Sequence, residues 1–520
     1  MPLIRVPNAG LVGVNKDLSQ HELPPAAWTD ARNVRFLDGY AYQFYGHGEV
    51  YNSPSIVPHH LIPMVVGTQR YWIYAGLAKA YAVTIAGGVA VHTNLTRQSG
   101  GVDQDYSAQP NSWTSTLLGG IPILNNGIDP PQQWDLNLAN RMTALANWPA
   151  NTTCKVLRGY KNFLVALNVT KAGANFPFMV KWSHPAEPGG VPLTWDPADA
   201  TKDAGEADLA EGYDPIVDGL QLRDAFMIYK EASVWRMDYV GGPYVFRFSK
   251  VLGTSGAMNR NCVVEVDGWH FVLTGSDVII HDGQSAQSVL DKQTRRWLFQ
   301  NIDVDGADRC FVFKNPFFNE VFVCFPSVGH EVPNLAVVWN YKDRTISVRE
   351  VPNIHHAAFG PVDNGLIGNW AQDSAPWASD LTLWDGPDFV PSTARCLMGS
   401  EANKLYMLDS SASFDGVIPQ AYLERRGLSY DAPEAMKLVR GIRPRIVGNT
   451  GDTVKIRIGG QTDPWAEPQW GPTMDHVIGQ TVANDCFVSG RYIAVRFETG
   501  SAYQWRLDSY DLDIETAGMW

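Results

Sequence analysis

The residues able to do chemistry in this 520-residue chain are few and poorly grouped. Two adjacent pairs, His59-His60 and His355-His356, invite a metal reading. Adjacent side chains in a strand point to opposite faces, so neighbouring imidazoles rarely share one ion, and polar turn residues are the expectation. The six cysteines, Cys154, Cys262, Cys310, Cys324, Cys396 and Cys486, are far apart and form no C-x-x-C pair, which argues against zinc. Asp303-Val-Asp-Gly-Ala-Asp308 looks like the start of a calcium loop but lacks its sixth-position glycine and distal glutamate. His21-Glu22 runs into Leu-Pro-Pro, so no H-E-x-x-H helix forms there, and Gly253-Thr-Ser-Gly256 lacks the spacing of a nucleophile elbow. Gly46-His-Gly48 is only the opening of a dinucleotide fingerprint, without a βαβ context, and no Walker loop is present. Carboxylate pairs for glycoside hydrolysis depend on spatial separation, which spacing along a chain does not define. The expectation is therefore no catalytic, cofactor-binding or metal-ligating residue, no cofactor and no enzymatic activity.

Ser183-His-Pro-Ala-Glu-Pro-Gly-Gly-Val-Pro-Leu-Thr-Trp195 resembles the Ser…Gly…Thr-Trp turn of sialidase blades. Pro185 stands where that turn needs an aspartate, the Gly-to-Thr spacing is stretched, and the motif is not repeated. It reads as a hairpin tip with Trp182 and Trp195 packed together.

The elements that would hold any such residues are short apolar strands that turn back on themselves. Tyr71–Tyr74 precedes Ala80–Ile85, Phe163–Leu167 precedes Phe178–Trp182, and Ala225–Tyr229 precedes Ser233–Met237. His270–Leu273 and Asp277–His281, then Glu320–Phe325 and Leu335–Trp339, repeat the pattern, with Lys404–Leu408 as a last member. Apolar strand, polar turn and returning strand form a hairpin. Recurrence at roughly 40 to 50 residues predicts an all-β fold, a β-propeller of about six irregular blades. Each blade packs only on its neighbours, which lets so long a chain avoid a single oversized core. The 18 Trp, 47 Gly and 33 Pro suit stacked sheets and tight turns.

Charge narrows the partners. The net charge of -13 disfavours a protein that grips nucleic acid over its whole surface, since phosphate binding needs clustered Lys and Arg. It permits a wall that lets DNA pass without sticking, although mild acidity equally serves solubility. The cysteines sit mostly in apolar strands and read as reduced, buried thiols made in a cytosol. No signal peptide, membrane span or membrane anchor is expected, and the sequons at Asn94, Asn151 and Asn168 read as chance.

Three regions follow. Residues 1–50 read as an N-terminal arm with a hairpin at Asp38-Gly39 that could lend a strand to the last blade. Residues 51–415 hold the propeller, with long loop insertions near 97–150 and 360–395. Residues 416–520 alternate apolar and charged positions, as in Thr453–Gly459 and Arg491–Phe497, and read as a β-sandwich-like module. Its outward Lys455, Arg457, Arg491 and Arg496 suit a solvated sheet face, or a docking face with weak phosphate contacts.

Several segments, in this order, resemble one family. They are Gly13–Ser19 with Leu23-Pro-Pro25, Trp28–Gly39 with Tyr45-Gly-His47, Asn125–Trp134, Asp218–Met237 running on to Gly241–Phe246, and Gly490–Phe497 with Trp505–Asp513. Together they resemble the hub or nozzle proteins of short-tailed bacteriophages, also called packaged-DNA stabilisation or tail tubular proteins. The resemblance implies a structural protein of the virion tail, made in the bacterial host cytoplasm. It implies a homohexameric ring below portal and adaptor subunits that carries tail fibres or spikes. Such a ring continues the channel for double-stranded DNA without sequence specificity, retains the genome and opens on ejection. The chain leaves little room for an elaborate nozzle tip. The alternative is a glycan-active or glycan-binding propeller, sialidase-like, depolymerase-like or lectin-like.

Overall fold

The computed structural model describes residues 3–67, 69–86, 89–362, 394–501 and 503–519. The chain folds as a β-propeller joined to a β-sandwich, with one α-helix, Lys292–Asn301, among the described residues. No described helix is long and apolar enough to cross a membrane.

Among the described residues, seven four-stranded antiparallel sheets form the blades. Their first strands are His60–Val66, Thr114–Leu118, Thr152–Tyr160, Ile216–Leu222, Val263–Val266, Phe311–Asn315 and Ile354–Pro361 for blades 1 to 7. The hairpins legible in the sequence are central strand pairs, such as Glu320–Phe325 against Leu335–Asn340, with every residue of both buried. Two-residue turns with both residues at positive φ close several hairpins, as at Asp267-Gly268 (φ 49° and 79°). This turn type matches the natural twist of the strands it joins.

Blade 2 accounts for the count of seven rather than about six. The stretch 97–150, expected as a loop, contains Thr114–Leu118, Ile121–Asn125, Gln132–Gln133 and Thr143–Ala144 as one sheet. Its outer strands are two residues long, too short to carry an alternating signal, and pairing alone defines them: Gln132–Gln133 on Ile121–Asn125, and Thr143–Ala144 on Gln132–Gln133. The second expected insertion, 360–395, lies outside the described residues from 363 to 393.

The ring closes by mixing chain ends. Blade 7 takes Ile354–Pro361, Ala394–Ser400 and Lys404–Ser411 from late in the chain, and its outermost strand, Gly46–Glu49, from early. The lent strand directly follows the Asp38-Gly39 hairpin rather than being part of it. At the closing seam a Cβ on Gly360 would stand 2.2 Å from the Cβ of Pro63, so only glycine lets blades 7 and 1 approach this far.

The N-terminal arm is built into the C-terminal module. In one six-stranded sheet, Leu3–Val6, Val34–Leu37 and Tyr40–Gln43 accompany Asn484–Gly490, Ala435–Val447 and Arg506–Met519. In the other, Asp30–Arg32 pairs with Tyr422–Leu428 beside Tyr492–Thr499 and Thr453–Gln461. The two sheets enclose a shared apolar core that includes Trp28, Phe36, Ile442, Ile456, Phe497 and Tyr510. On the outer face Arg457, Arg491 and Arg496 are ion-paired, to Glu498, Glu434 and Glu424 respectively. These pairs leave the solvated-face reading the better one.

A fully buried ion cluster welds sandwich to propeller. Arg35, on the early hairpin, is ion-paired with Glu320 of blade 6 (Nε to Oε1 3.0 Å) and donates from Nη2 to Glu320 Oε2 at 3.1 Å and to Asp409 of blade 7 at 2.9 Å. Arg349 of blade 6 reaches the other oxygen of Asp409 at 2.8 Å and the Tyr45 carbonyl at 2.8 Å. Asn315 donates to Asp409 at 3.1 Å, and the Arg35 guanidinium lies 3.7 Å from the Phe318 ring centroid. The four charged side chains are at most 2% exposed. Burial acts to raise the Asp409 carboxyl, but Arg35 and Arg349 outweigh it and hold it low, whereas burial pushes Glu320 up against the pull of Arg35. Removing one member of such a cluster strands an uncompensated charge. Arg35→Met should therefore cost about 3–5 kcal/mol, read as a large fall in calorimetric transition temperature. A loss below about 1 kcal/mol would be that of an exposed pair and would contradict the burial of the cluster.

Candidate functional site

The first strand of each blade lies innermost. Each touches its counterpart in the next blade from 2 through 7 and, across the seam, from 7 to 1. Blades 1 and 2 are joined by a hydrogen bond between His60 Nε2 and Ser115 Oγ at 2.8 Å. The axis these strands surround is where propellers commonly place polar groups, because no blade covers it.

Here the axis is crossed by side chains. Arg158 of blade 3 grips Asp218 of blade 4 with Nε and Nη2 at 3.0 and 2.9 Å, a two-point geometry that fixes both side chains. It also donates to Asn261 Oδ1 at 3.1 Å, next to blade 5. Asp218 accepts from the Asn261 backbone amide at 2.9 Å, so a single carboxylate organises three blades. From Asn261, Nδ2 spans the ring to Asn111 Oδ1 (3.1 Å) and the Trp113 carbonyl (3.2 Å) before blade 2. Asn111 passes the connection to the Asp308 carbonyl at 2.8 Å, ahead of blade 6. Arg260 donates to the carbonyls of Ser112 and Lys155 at 2.8 and 3.2 Å. Burial lowers its guanidinium, and Asp218 only partly offsets this. Opposite blades are thus tied through the centre. This arrangement locks the ring, and its polar atoms are engaged with one another rather than aimed at open space.

The histidine pairs border this axis at the closing seam. His59 stacks on His355 with centroids 3.9 Å apart, and His60 lies 4.2 Å from His356. His60 begins a strand and His355 and His356 lie within one, so the expectation of turn residues fails for them. The members of each pair are nonetheless matched with counterparts on the facing blade rather than with each other, His59 lying just before its strand and His355 at a register shift. The Leu61 amide donates to His356 Nδ1 at 3.3 Å, which requires that nitrogen to be unprotonated. Burial first, and Arg309 second, lower His59 to about 4. Burial, then His59 and Arg309, lower His355 to about 3. Burial and Arg158 lower His356 to about 3, and burial with His356 and Arg158 also lowers His60 strongly.

A second relay lies between blades 4 and 5. His281 Nδ1 accepts from the Gly283 amide, leaving Nε2–H for the Tyr229 oxygen at 2.6 Å. Tyr229 then donates to His270 Nδ1 at 2.6 Å, and His270 Nε2–H ends on the Gln221 carbonyl at 3.0 Å. It terminates on backbone at both ends and is structural.

The remaining motifs resolve simply. Asp303 uses its carboxylate to accept from Asp305, Gly306 and Gly329 amides. No group of three or more His, Cys, Asp or Glu among the described residues is placed to hold a metal. Trp182 and Trp195 do not meet: Trp182 packs edge-on to Phe246 at 5.3 Å and Trp195 to Trp148 at 4.7 Å. They belong to different inter-blade cores, Trp182 to the one between blades 3 and 4 and Trp195 to the one between blades 2 and 3. All six cysteines are free and buried, and burial pushes every thiol up. Nothing in the sequence marked Asn111, Arg158, Asp218, Arg260 and Asn261 as meeting one another: Arg158 and Asp218 are single polar residues within strands, and the other three lie in connections outside them.

The seam makes stability depend on pH. Its imidazoles are depressed below the ordinary value of 6.5, so the unfolded chain binds more protons than the folded one between about pH 6.5 and 4. Stability contributed there is present above 6.5 and lost as pH falls through that window, by at most about 1.4 kcal/mol per pH unit per group. The transition temperature should drop between pH 7.5 and 4.5. His59→Phe with His355→Phe, which keeps the stack, should flatten that slope; an unaltered slope would place the acid sensitivity elsewhere.

No family model matches this sequence, and no curated protein matches it. Among solved structures it is similar to the WD40 β-propeller domain of Doa1, at 8% identity and TM-score 0.37, covering 70% of this chain and 97% of that one. The WD40 domain of Toxoplasma gondii coronin gives 8% identity and TM-score 0.37, with 73% and 87% covered. Puromycin hydrolase gives 11% and 0.37, with 69% and 59% covered. At such identities the likeness concerns the fold alone, and the chain's own sheet order makes it a β-propeller.

Proposed function

We propose that this protein is a non-enzymatic structural subunit of a phage tail, a hub or nozzle that assembles as a homohexameric ring around a passage for double-stranded DNA. Adaptor subunits and fibres or spikes are its further partners, and the virion tail is its place.

The observation that carries the reading is a pair of exposed apolar patches on different modules. At the tip of blade 4, Tyr244 is 81% exposed and stands beside Val240 and Tyr239, also exposed. On the sandwich, Val482 and Phe487 are each 80% exposed, Phe487 on the outermost strand of its sheet. Large exposed apolar side chains mark interaction surfaces. A closed ring is built from heterologous contacts, so each subunit must present two unlike faces. The ordered run of segments that resembles the hub family adds to this. Asp218, at the head of one such segment, is the carboxylate that organises the propeller axis. A rigid ring of blades welded to a sandwich also suits a part that must hold shape under load.

Mass photometry and negative-stain microscopy of the purified protein test the reading. A hexameric ring with an axial opening is expected, in place of a 57.5 kDa monomer. Tyr244→Asp and Phe487→Asp should each abolish the ring while leaving the transition temperature within about 1 °C, as exposed substitutions do. A wild-type protein that stays monomeric at every concentration, or that cleaves glycans as a monomer, would overturn the proposal.

A further inference from the structure

The helix Lys292–Asn301, between blades 5 and 6, is arranged against its own stability. Asp291 caps it, accepting from the Gln293 and Thr294 amides at 3.0 and 2.8 Å. Beyond the cap its first turn contains no acidic residue. Instead Lys292 occupies the first position, and Arg295 and Arg296 follow one turn later. Cations at a helix N-terminus oppose the helix dipole, and Lys292 and Arg296, four apart, repel each other. Local features that work against the fold are expected where a site needs them.

Those residues share one face. Lys292, Arg295, Arg296 and Phe299 fall at i, i+3, i+4 and i+7, while Thr294 and Leu298 are buried on the other side. Opposite the basic face lies the Gly275-Ser276 turn of blade 5, held by Thr274 Oγ1, which accepts from the Ser276 and Asp277 amides. Between them is a cleft of about 370 Å³ lined by Gly275, Ser276, Lys292, Arg295, Arg296 and Phe299. Asp277 is the countercharge, bonded to Arg295 at 3.0 Å, and its other oxygen is taken by the Val278 amide and Ser288. Lys292 and Arg296 have no ion-pair partner among the described residues. Two exposed cations without an ion pair among the described residues and a small turn that allows close approach thus converge, in a chain whose net charge is -13.

We propose that this cleft binds phosphate esters, with Lys292 and Arg296 as the anion-holding residues and Arg295, fixed by Asp277, as their support. The chemistry is common to a small phosphorylated ligand and to a nucleic-acid backbone. The site stands whether or not the protein forms a ring.

Two probes on the full-length protein separate these sources: pyrophosphate by titration calorimetry, and a fluorescent DNA duplex of about 20 base pairs by anisotropy at two salt concentrations. Lys292→Gln with Arg296→Gln should weaken binding at least tenfold while leaving the transition temperature equal or higher, because it removes the repulsion at the helix start. Arg247→Gln, an exposed cation on blade 4, should leave binding unchanged. Loss in the pyrophosphate arm identifies a small ester. Loss in the duplex arm, with a salt slope reduced by about two units, identifies nucleic acid. If neither probe binds, or if the double variant binds both as the wild type does, the proposal fails.

Discussion

Asp409 is the point on which the architecture turns. A buried carboxylate needs full compensation, and here it comes from Arg35 and Arg349, with Asn315 adding a hydrogen bond. Arg35 belongs to a strand of the sandwich, Arg349 and Asn315 to blade 6, and Asp409 to blade 7. The charges are satisfied only when the early hairpin, the last two blades and the C-terminal sheets are all in place. Such clusters add little net stability compared with apolar packing, but an incomplete one is heavily penalised. The cluster thus acts mainly on specificity: it rejects arrangements in which the ring closes without the sandwich, or the sandwich docks in another register.

The same logic operates at the axis with weaker interactions. Arg158 and Asp218 neutralise each other, and the asparagines carry the connection across the ring to backbone carbonyls. At the seam the choice is neutrality rather than compensation. Four imidazoles are stacked in two pairs and kept unprotonated by burial beside Arg158 and Arg309. Like charges in so confined a space could not all persist, so stacking and loss of the proton go together. The propeller's own centre is consequently filled with side chains. A passage wide enough for DNA would have to lie between copies of the chain, which is the arrangement the ring proposal requires.

Ion pairing over the surface explains why net charge said little about partners. On the sandwich face Arg457, Arg491 and Arg496 are spent on nearby glutamates, whereas the helix between blades 5 and 6 holds Lys292 and Arg296 without an ion-pair partner among the described residues. Local imbalance, not the overall count of charges, distinguishes a solvated sheet from an anion-seeking cleft.

What the sequence determined by itself was local. Apolar runs such as Val321–Phe325 can only be buried strands, and turns such as Asp38-Gly39 close hairpins by their backbone preference, so the all-β class and most central strand pairs were legible. The free, buried thiols were legible for the same reason, since most lie inside such strands and Cys262 and Cys310 immediately precede them. Tertiary structure alone decided the rest. Gln132–Gln133 is a strand only because Ile121–Asn125 offers it a ladder, and Thr143–Ala144 only because Gln132–Gln133 extends that ladder outward. The arm joined the C-terminal sheets because Trp28 and Phe36 complete a core with Phe497 and Tyr510. The axial network links Asn111 to Asp308, 197 positions apart, and the ion cluster links Arg35 to Asp409 over 374. No periodicity reports which polar residues meet across such separations, because their pairing is set by where the closed ring carries them.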